Sequence, residues 1–256
     1  NGELTSLINH PELTQEDMQG IAQAILTPEY YKRFVANQEL DFSYEYQGQV
    51  RLRGNIFVQQ SKYVIVLRLI PHVKTLQELN LPSILADFAR RKQGFFLVVG
   101  PVGQGKSATM SSMIGLINEE RAAHILTIED PVEYVYEQKK AIIDQREVGI
   151  DTTDFQIALH SAFRQDVNVI LIGEMRNAET IGTAVTAAET GHLVLSTLHT
   201  NNASQTIDRI IDSFPAAQQD QIRVQLAASL IGIFSQRLIP RIAGGRIPAY
   251  ELLINK

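Results

Sequence analysis

The sequence predicts an α/β fold with a mostly parallel sheet, preceded by a small α+β domain. In the C-terminal part, strongly apolar segments such as FFLVV, HILTIED, VNVILIGE and HLVLSTLH alternate with helical stretches. Strands that are apolar on both sides are typical of a parallel sheet with helices on both faces. Between Asp41 and Ile70, by contrast, apolar and polar residues alternate with a period of two, which indicates antiparallel strands.

The N-terminal part begins with two predicted helices. Residues 14–26 have the spacing of an amphipathic helix, with Thr14 as its N-cap and Asp17 three residues later. Pro28 suits the first turn of a second helix, because its missing N–H group is not needed there. That helix is predicted to end at about Gln38.

Three antiparallel strands are predicted next. They cover DFSYEY, QVRLRGNIFVQ and KYVIVLRLI, with a turn at Gln47-Gly48 and an end at Pro71. The polar stretch that follows is interpreted as a connection between domains. We therefore predict a small α+β domain over residues 1–72, a linker over 73–82 and a larger domain over 83–256.

The larger domain alternates helices with the apolar strands. A first helix is predicted over residues 82–92, and a second runs from a glycine-rich loop to about Glu120. Further helices are predicted over 203–213 and 216–237, and a last strand over 249–254.

Composition excludes several classes of function. The formal net charge of −5 and the lack of a long Lys/Arg run argue against a nucleic-acid partner. There is no cysteine, which excludes disulfides and thiolate metal sites. The longest apolar runs, at 95–99 and 167–172, are far shorter than the ~20 residues of a membrane helix. We therefore expect no direct membrane insertion and a cytoplasmic location.

A phosphate-binding motif follows the first apolar strand. GPVGQGKS at 100–107 fits G-x-x-x-x-G-K-[ST] at every fixed position, with a strand before it and a helix after it. Such a loop turns backbone N–H groups toward phosphates, and the helix N-terminus adds its dipole. A glycine-rich turn without chemistry is the disfavoured alternative. The predicted nucleotide-binding residues are Gly100, Pro101, Val102, Gly103, Gln104, Gly105, Lys106, Ser107 and Ala108.

Two residues of this motif have individual roles. Lys106 supplies positive charge to the β- and γ-phosphates, and the Ser107 hydroxyl is a predicted Mg²⁺ ligand. The sequence thus predicts binding and hydrolysis of a nucleoside triphosphate with Mg²⁺. It contains no motif that distinguishes ATP from GTP.

Acidic residues follow two further strands, at the sheet edge where ligands of parallel sheets bind. TIEDPVEY at 127–134 carries Glu129, Asp130 and Glu133, although acidic residues after a strand more often form a solvated loop. VILIGEMR ends an apolar strand in an acid, and we favour Glu174 as a residue on the Mg²⁺ side over an ordinary helix N-cap region.

Two histidines bracket the strand in GHLVLSTLHT. His192 precedes it and His199 follows it, and Ser196, Thr197 and Thr200 are further donors. Each histidine could contact phosphate or could satisfy a local hydrogen bond, and the spacing alone leaves both possibilities open.

These four segments, in this order, resemble one family, the secretion ATPases of type II secretion and type IV pili. GPVGQGKS resembles its Walker A motif, TIEDPVEY its Asp box, LIGEMR its Walker B motif and TGHLVLSTLHTNNA its His box. The likeness covers nearly the whole chain, because RLRGNIFVQQ and VLRLIP are similar to the sheet of the family's small N-terminal domain. Within the family the chain is most similar to pilus-retraction motors, since extension and secretion motors often carry four metal-binding cysteines.

The resemblance implies a RecA-like P-loop ATPase domain preceded by a PAS-like domain, assembled as a homo-hexamer. It implies an ATP-driven motor for type IV pilus retraction and twitching motility, which is recruited to the cytoplasmic face of the inner membrane by a pilus platform protein. It makes Glu133 the residue that orients the attacking water, with Glu174 on the Mg²⁺ side and His199 near the γ-phosphate. It also brings Arg53 and Arg68 of the N-terminal sheet to the nucleotide. Without the resemblance, these arginines would only mark a solvent face.

The chain departs from the family pattern at several positions. Val102, Gln104 and Ala108 stand where Thr, Ser and Thr are usual, but none is a fixed position of the motif. His160 replaces the first arginine of AIRxxLRxDPD, and Asn177 replaces the acid that commonly follows GEMR. The start of the small domain and the segment after ELLINK are expected to be missing.

Two alternative functions stay open at this point. One is an extension or type II secretion motor of the same family. The other is a regulator that binds nucleotide but hydrolyses it poorly, which the substitutions at His160 and Asn177 motivate.

Overall fold

The computed structural model of the chain describes residues 10–47, 50–175 and 177–255. The chain divides into two compact units, Asn1–Pro71 and His72–Lys256. The predicted turn at Gln47-Gly48 lies partly outside the described residues.

The first unit packs two helices against an antiparallel sheet. The sheet has the order β1-β2-β3, and the predicted helices and strands of this unit are confirmed. Its elements are α1 (Gln15–Ile25), α2 (Pro28–Asn37), β1 (Glu39–Tyr46), β2 (Val50–Gln59) and β3 (Lys62–Leu69).

Local interactions explain where these elements begin and how they pack. At the start of α1, Thr14 and Asp17 bond each other's backbone N–H groups, at 2.8 and 3.1 Å. The buried core contains Phe34, Phe42 and Ile56. The Phe42 ring lies directly over Gly54, where an added Cβ atom would be 2.2 Å from the ring. Glycine at this position lets the two strands and the aromatic ring pack closely.

The second unit is a seven-stranded sheet covered by helices on both faces. The strand order is β10-β9-β4-β8-β7-β5-β6, and all pairs except β9–β10 are parallel. The predicted α/β class with a mostly parallel sheet is confirmed. Its elements are α3 (Ile84–Ala89), β4 (Gly94–Val99), α4 (Lys106–Glu120), β5 (His124–Glu129), β6 (Ile142–Glu147), α5 (Phe155–Ala162), β7 (Val169–Ile172), α6 (Ala178–Glu189), β8 (Leu193–Leu198), α7 (Ala203–Asp212), α8 (Ala216–Ser229), β9 (Leu230–Pro240) and β10 (Arg246–Ile254).

The central strands are the core of this unit. Every residue of β4, β7 and β8 is buried. One face packs against apolar side chains of α5, α6, α7 and α8, and the other against those of α3 and α4. The segment 73–82 contributes Leu76 and Leu81 to the second of these clusters.

Two predicted helices differ from the structure, and one of its strands was not predicted. The helix predicted over 216–237 ends at Ser229, and β9 begins at Leu230. The run LIGIF is fully buried between β4 and β10, so sheet pairing overrides helical continuity there. The strand β6 was not predicted, because it lies at the sheet edge and its last four residues, Asp144–Glu147, are all polar. The helix α3 is shorter than the predicted 82–92.

Candidate nucleotide-binding site

The loop between β4 and α4 has the backbone of a phosphate-binding loop. Gly100 has φ +146°, and a Cβ atom there would lie 2.3 Å from the carbonyl oxygen of Gln236. Gly105, with φ +81°, is the N-cap of α4 and has no side chain to bond the first turn. The N–H groups at the start of this helix are therefore available to an anion, which the helix dipole favours.

The neighbouring strand β9 fastens this loop. The Gln236 side chain donates to the carbonyl oxygen of Gln104 at 2.8 Å and accepts from the Thr109 hydroxyl at 2.6 Å. The Gln104 side chain accepts from the backbone N–H of Leu238 at 2.7 Å. The side-chain oxygen of Gln104 is thus turned to β9, and we expect this residue to contribute to nucleotide binding through its backbone.

Lys106 is held at the base of the loop. It is only 8% exposed, and its Nζ donates to the carbonyl oxygens of Gly100 at 2.8 Å and Pro101 at 3.0 Å. Burial lowers the pKa of the Lys106 ammonium, while the carboxylates of Glu133 and Glu174 act in the opposite direction. The loop therefore presents a pre-positioned cation to a phosphate group.

His199 connects this cation to the carboxylate of Glu174. Its Nδ1 lies 3.3 Å from Lys106 Nζ, and its Nε2 lies 3.3 Å from a carboxylate oxygen of Glu174. The three side chains come from three different places at the carboxyl edge of the sheet: the start of α4, the end of β7 and the end of β8. The structure thus brings together three residues that the sequence predicted as catalytic.

The acidic segment at the end of β5 supplies three more acidic side chains, of which Glu129 and Glu133 differ most in their surroundings. Glu129 is 8% exposed, accepts from the Thr127 hydroxyl at 2.7 Å and lies 3.4 Å from the backbone nitrogen of Glu133. Burial raises the pKa of Glu129 to about 7, although these hydrogen bonds favour its ionised form. Glu133 is exposed to solvent. Sequence reasoning did not distinguish the buried glutamate from the exposed one.

One cavity of about 190 Å³ joins these groups. All its lining residues belong to the second unit, and it lies beyond the carboxyl ends of β4, β5, β7 and β8, as expected for a parallel sheet. The lining residues are Val102, Gly103, Lys106, Ser107, Met110, Glu129, Asp130, Pro131, Glu133, Tyr134, Tyr136, Leu171, Gly173, Glu174, Thr197 and His199.

The predicted nucleotide contact of His192 is not supported. His192 lies at the amino end of β8, whereas the phosphate loop and His199 lie at the carboxyl end. Its Nδ1 is 3.0 Å from the carbonyl oxygen of Ala187, and its ring packs edge-on against Phe163. The spacing left open a phosphate contact or a local hydrogen bond, and in the structure His192 makes the local hydrogen bond.

Arg53 and Arg68 belong to the first unit. They are direct cross-strand neighbours on β2 and β3, so their side chains share one face of that sheet. Their contact with nucleotide stays a prediction.

The two unusual residues of the family pattern have local partners. The His160 Nε2 lies 2.8 Å from the Gln156 amide nitrogen. Asn177 is the N-cap of α6 and accepts from the backbone N–H of Thr180 at 2.9 Å. Asn caps a helix as well as an acid does, so this substitution keeps the start of α6 intact.

The geometry agrees with the comparisons to known proteins. The family described as type II/IV secretion system protein matches residues 39–245. The chain belongs to this family. It is 46% identical to a twitching motility protein of Neisseria gonorrhoeae, over 96% of this chain and 67% of the relative. It is 45% identical to the type IV pilus retraction ATPase PilT of Pseudomonas aeruginosa, over 97% of this chain and 72% of that protein.

A solved structure is similar across the whole chain. The crystal structure of the pilus retraction motor PilT with bound ADP has a TM-score of 0.95 at 47% identity, covering 100% of this chain and 75% of the other. The resemblance to the secretion ATPases, and within them to retraction motors, is therefore confirmed. No helix among the described residues is long and apolar enough to cross a membrane.

Proposed function

We propose that this chain is an ATP-hydrolysing motor that retracts type IV pili. The observation that carries the proposal is the single cavity in which Lys106, Ser107, Glu133, Glu174 and His199 converge. Its support is the likeness, over almost the whole chain, to proteins named for twitching motility and pilus retraction.

The cavity has the groups that phosphoryl transfer to water requires. The loop and the α4 N-terminus bind the phosphates, and Lys106 balances their charge. Glu133, which is exposed beside the cavity, accepts a hydrogen bond from the attacking water and orients it toward the γ-phosphate. His199 keeps Lys106 and the Glu174 carboxylate in fixed relation.

The donor set of the cavity also fits Mg²⁺. The Ser107 hydroxyl and the Glu174 carboxylate would hold the ion directly or through water, and the bound ion would neutralise charge on the phosphates. No cluster of three or more His, Asp or Glu side chains in the described part of the chain could hold a metal ion alone. This agrees with Mg²⁺, which binds through few protein ligands together with substrate phosphates and water.

The proposal includes assembly and location. As a retraction motor the chain works as a homo-hexamer at the cytoplasmic face of the inner membrane and acts on a platform protein there. Arg53 and Arg68 are proposed to supply positive charge to the nucleotide, which can contribute about 10³–10⁵ to the rate of such reactions.

Phosphate release tests the enzymatic part. We expect ATP hydrolysis by the wild-type chain and a loss of at least ~100-fold in Glu133→Ala, because a positioned base contributes about 10²–10⁴. Glu137→Ala removes an exposed glutamate four residues along the same segment and is the matched control. Equal rates for wild type and Glu133→Ala would contradict the motor and favour the nucleotide-binding regulator. GTP tested in parallel decides the choice of nucleotide.

Deletion in a pilus-bearing cell tests the direction of work. A retraction motor leaves cells with pili that do not retract, whereas loss of an extension or secretion motor blocks assembly or secretion. Bald cells after deletion would favour the extension motor over the retraction motor.

A further inference from the structure

The segment that carries Glu133 has no regular structure of its own. Residues 131–138 form neither helix nor strand in the described chain. Even so, the proposed function requires the Glu133 carboxylate to be held at one place in the cavity. Its position therefore depends on side chains from the neighbouring strands that bond its backbone.

Gln145 of β6 makes the central contact. Its Nε2 donates to the carbonyl oxygen of Tyr134 at 2.7 Å, and its Oε1 accepts from the backbone N–H of Tyr136 at 3.1 Å. One side-chain amide thus pairs with both sides of Val135, as a neighbouring strand would. Such a double contact fixes the path of the chain one residue after Glu133.

Two further contacts hold the backbone at Glu133 and at the residue before it. Glu147, also on β6, accepts from the backbone N–H of Val132 at 3.1 Å. Glu129, at the end of β5, accepts from the backbone N–H of Glu133 itself at 3.4 Å. The Gln145 amide also acts on the Glu129 carboxyl, where it opposes the rise in pKa that burial causes. Gln145 is therefore the residue that joins the two sets of contacts.

We infer that Gln145 is a positioning residue, which fixes the backbone of the acidic segment and through it the Glu133 carboxylate in the cavity. The inference rests on the proposed function, in which Glu133 orients water. Gln145 does not line the cavity, so it acts on the reaction through Glu133 and not through the nucleotide.

Gln145→Met tests this role, because it keeps the length of the side chain and removes both hydrogen bonds. Displacement of a reacting group by about 1 Å can cost ~100-fold in rate. We expect kcat for ATP to fall ~10–100-fold, with KM and ADP affinity close to the wild-type values. Gln145→Glu keeps the acceptor for the Tyr136 N–H and loses the donor to the Tyr134 carbonyl oxygen. We therefore expect its kcat to lie between that of wild type and that of Gln145→Met.

The chain offers a matched control in Gln138. Its side-chain amide makes the same kind of double contact, with the carbonyl oxygen of Ile143 at 3.1 Å and the N–H of Ile143 at 3.3 Å. That contact holds the start of β6. Gln138→Met therefore reports the cost of losing such a pair without displacing Glu133, and we expect it to keep wild-type kcat.

A double-mutant cycle separates positioning from general loss of structure. If Gln145 acts through Glu133, Gln145→Met lowers kcat in the wild type but not in Glu133→Gln. The same fold-loss in both backgrounds would overturn the inference, as would wild-type kcat in a folded Gln145→Met. If that variant does not fold, Gln145→Glu is carried through the same cycle. Failure of the proposed function gives a different result, which is that Glu133→Gln hydrolyses ATP as fast as wild type.

Discussion

At the scale of single residues, burial shapes the ionisation of the site. Lys106 and Glu129 are each 8% exposed, and burial moves their pKa values in opposite directions, because it disfavours the charged form of both. Lys106 keeps bonds to two carbonyl oxygens and a contact with His199. Glu129 accepts a hydrogen bond from the Thr127 hydroxyl. Burial thus disfavours the charged form of both side chains, and for Lys106 the carboxylates of Glu133 and Glu174 act against it.

The pKa of Glu129 predicts how stability depends on pH. The folded chain releases this proton near pH 7, compared with an ordinary value of 4.5. Between these values the folded state binds more protons than the unfolded state, so stability falls as pH rises. Each pH unit between these two pKa values lowers the free energy of unfolding by about 1.4 kcal/mol, which gives about 3 kcal/mol over the whole interval. We expect Glu129→Gln to remove this loss in urea unfolding at pH 5, 6, 7 and 8.

The matched control for this measurement is Glu137→Gln, at an exposed glutamate of the same segment. It should keep the wild-type dependence on pH. A wild-type slope in Glu129→Gln would show that other groups cause the effect. Groups near Glu129 include Glu133, Tyr136 and Glu147, its partner in the β5–β6 register.

The sequence identified the chemistry of these residues better than their roles. Lys106 and Ser107 are fixed by a motif whose spacing implies its geometry. Glu129 and Glu133 belong to one acidic segment, and their different burial depends on a chain path that no local pattern encodes. His192 and His199 stand at opposite ends of β8. Because β8 runs parallel to β4, the end that carries His199 lies beside the phosphate loop and the end that carries His192 does not.

At the scale of elements, the two strands that sequence reasoning missed are the ones that support the site. β9 fastens the phosphate loop through Gln236, and β6 holds the acidic segment through Gln145. The central strands were predictable because burial on both faces gives continuous apolar runs. β6 has one exposed side, and β9 continues directly from a helix, so neither has that signature.

Gln236 predicts a link between β9 and nucleotide affinity. Gln236→Leu removes the donor to the Gln104 carbonyl oxygen and leaves the buried Thr109 hydroxyl with only the Gly105 carbonyl oxygen, at 3.3 Å. We expect stability to fall by about 1–3 kcal/mol. ADP affinity should fall by roughly tenfold, because a loosened loop must be ordered on binding. Melting curves and ADP titration by calorimetry measure both quantities.

Gln225→Leu is a suitable comparison for Gln236→Leu. Gln225 lies on α8 and bonds the exposed Glu189, so its loss removes a surface contact. ADP affinity should remain at the wild-type value in this variant. Unchanged ADP affinity in Gln236→Leu as well would mean that β9 supports the fold but not the loop.

At the scale of the whole molecule, the chain consists of two compact units with separate cores. The change of sequence pattern near residue 72 indicated this division, since period-two strands give way to apolar strands between helices. How chains assemble is a matter of surface complementarity, which a single sequence does not encode as a pattern.

Assembly predicts that turnover per chain depends on concentration. If nucleotide hydrolysis needs charge from Arg53 and Arg68 in a ring, dilution should lower the rate per chain as the ring dissociates. Sedimentation over the same concentrations identifies the species present. A monomer with full activity would contradict the ring, and Lys106→Ala provides the background rate at each concentration.

Because β4, β7 and β8 are buried along their whole length, the residues needed for folding and those needed for activity lie in different parts of the chain. Strand residues such as Leu195 determine whether the chain folds, while residues past the strand ends determine its activity. In a library of random single substitutions the two kinds of loss would therefore look different. Strand variants would disappear from the soluble fraction, whereas loop variants would accumulate normally and fail only at turnover.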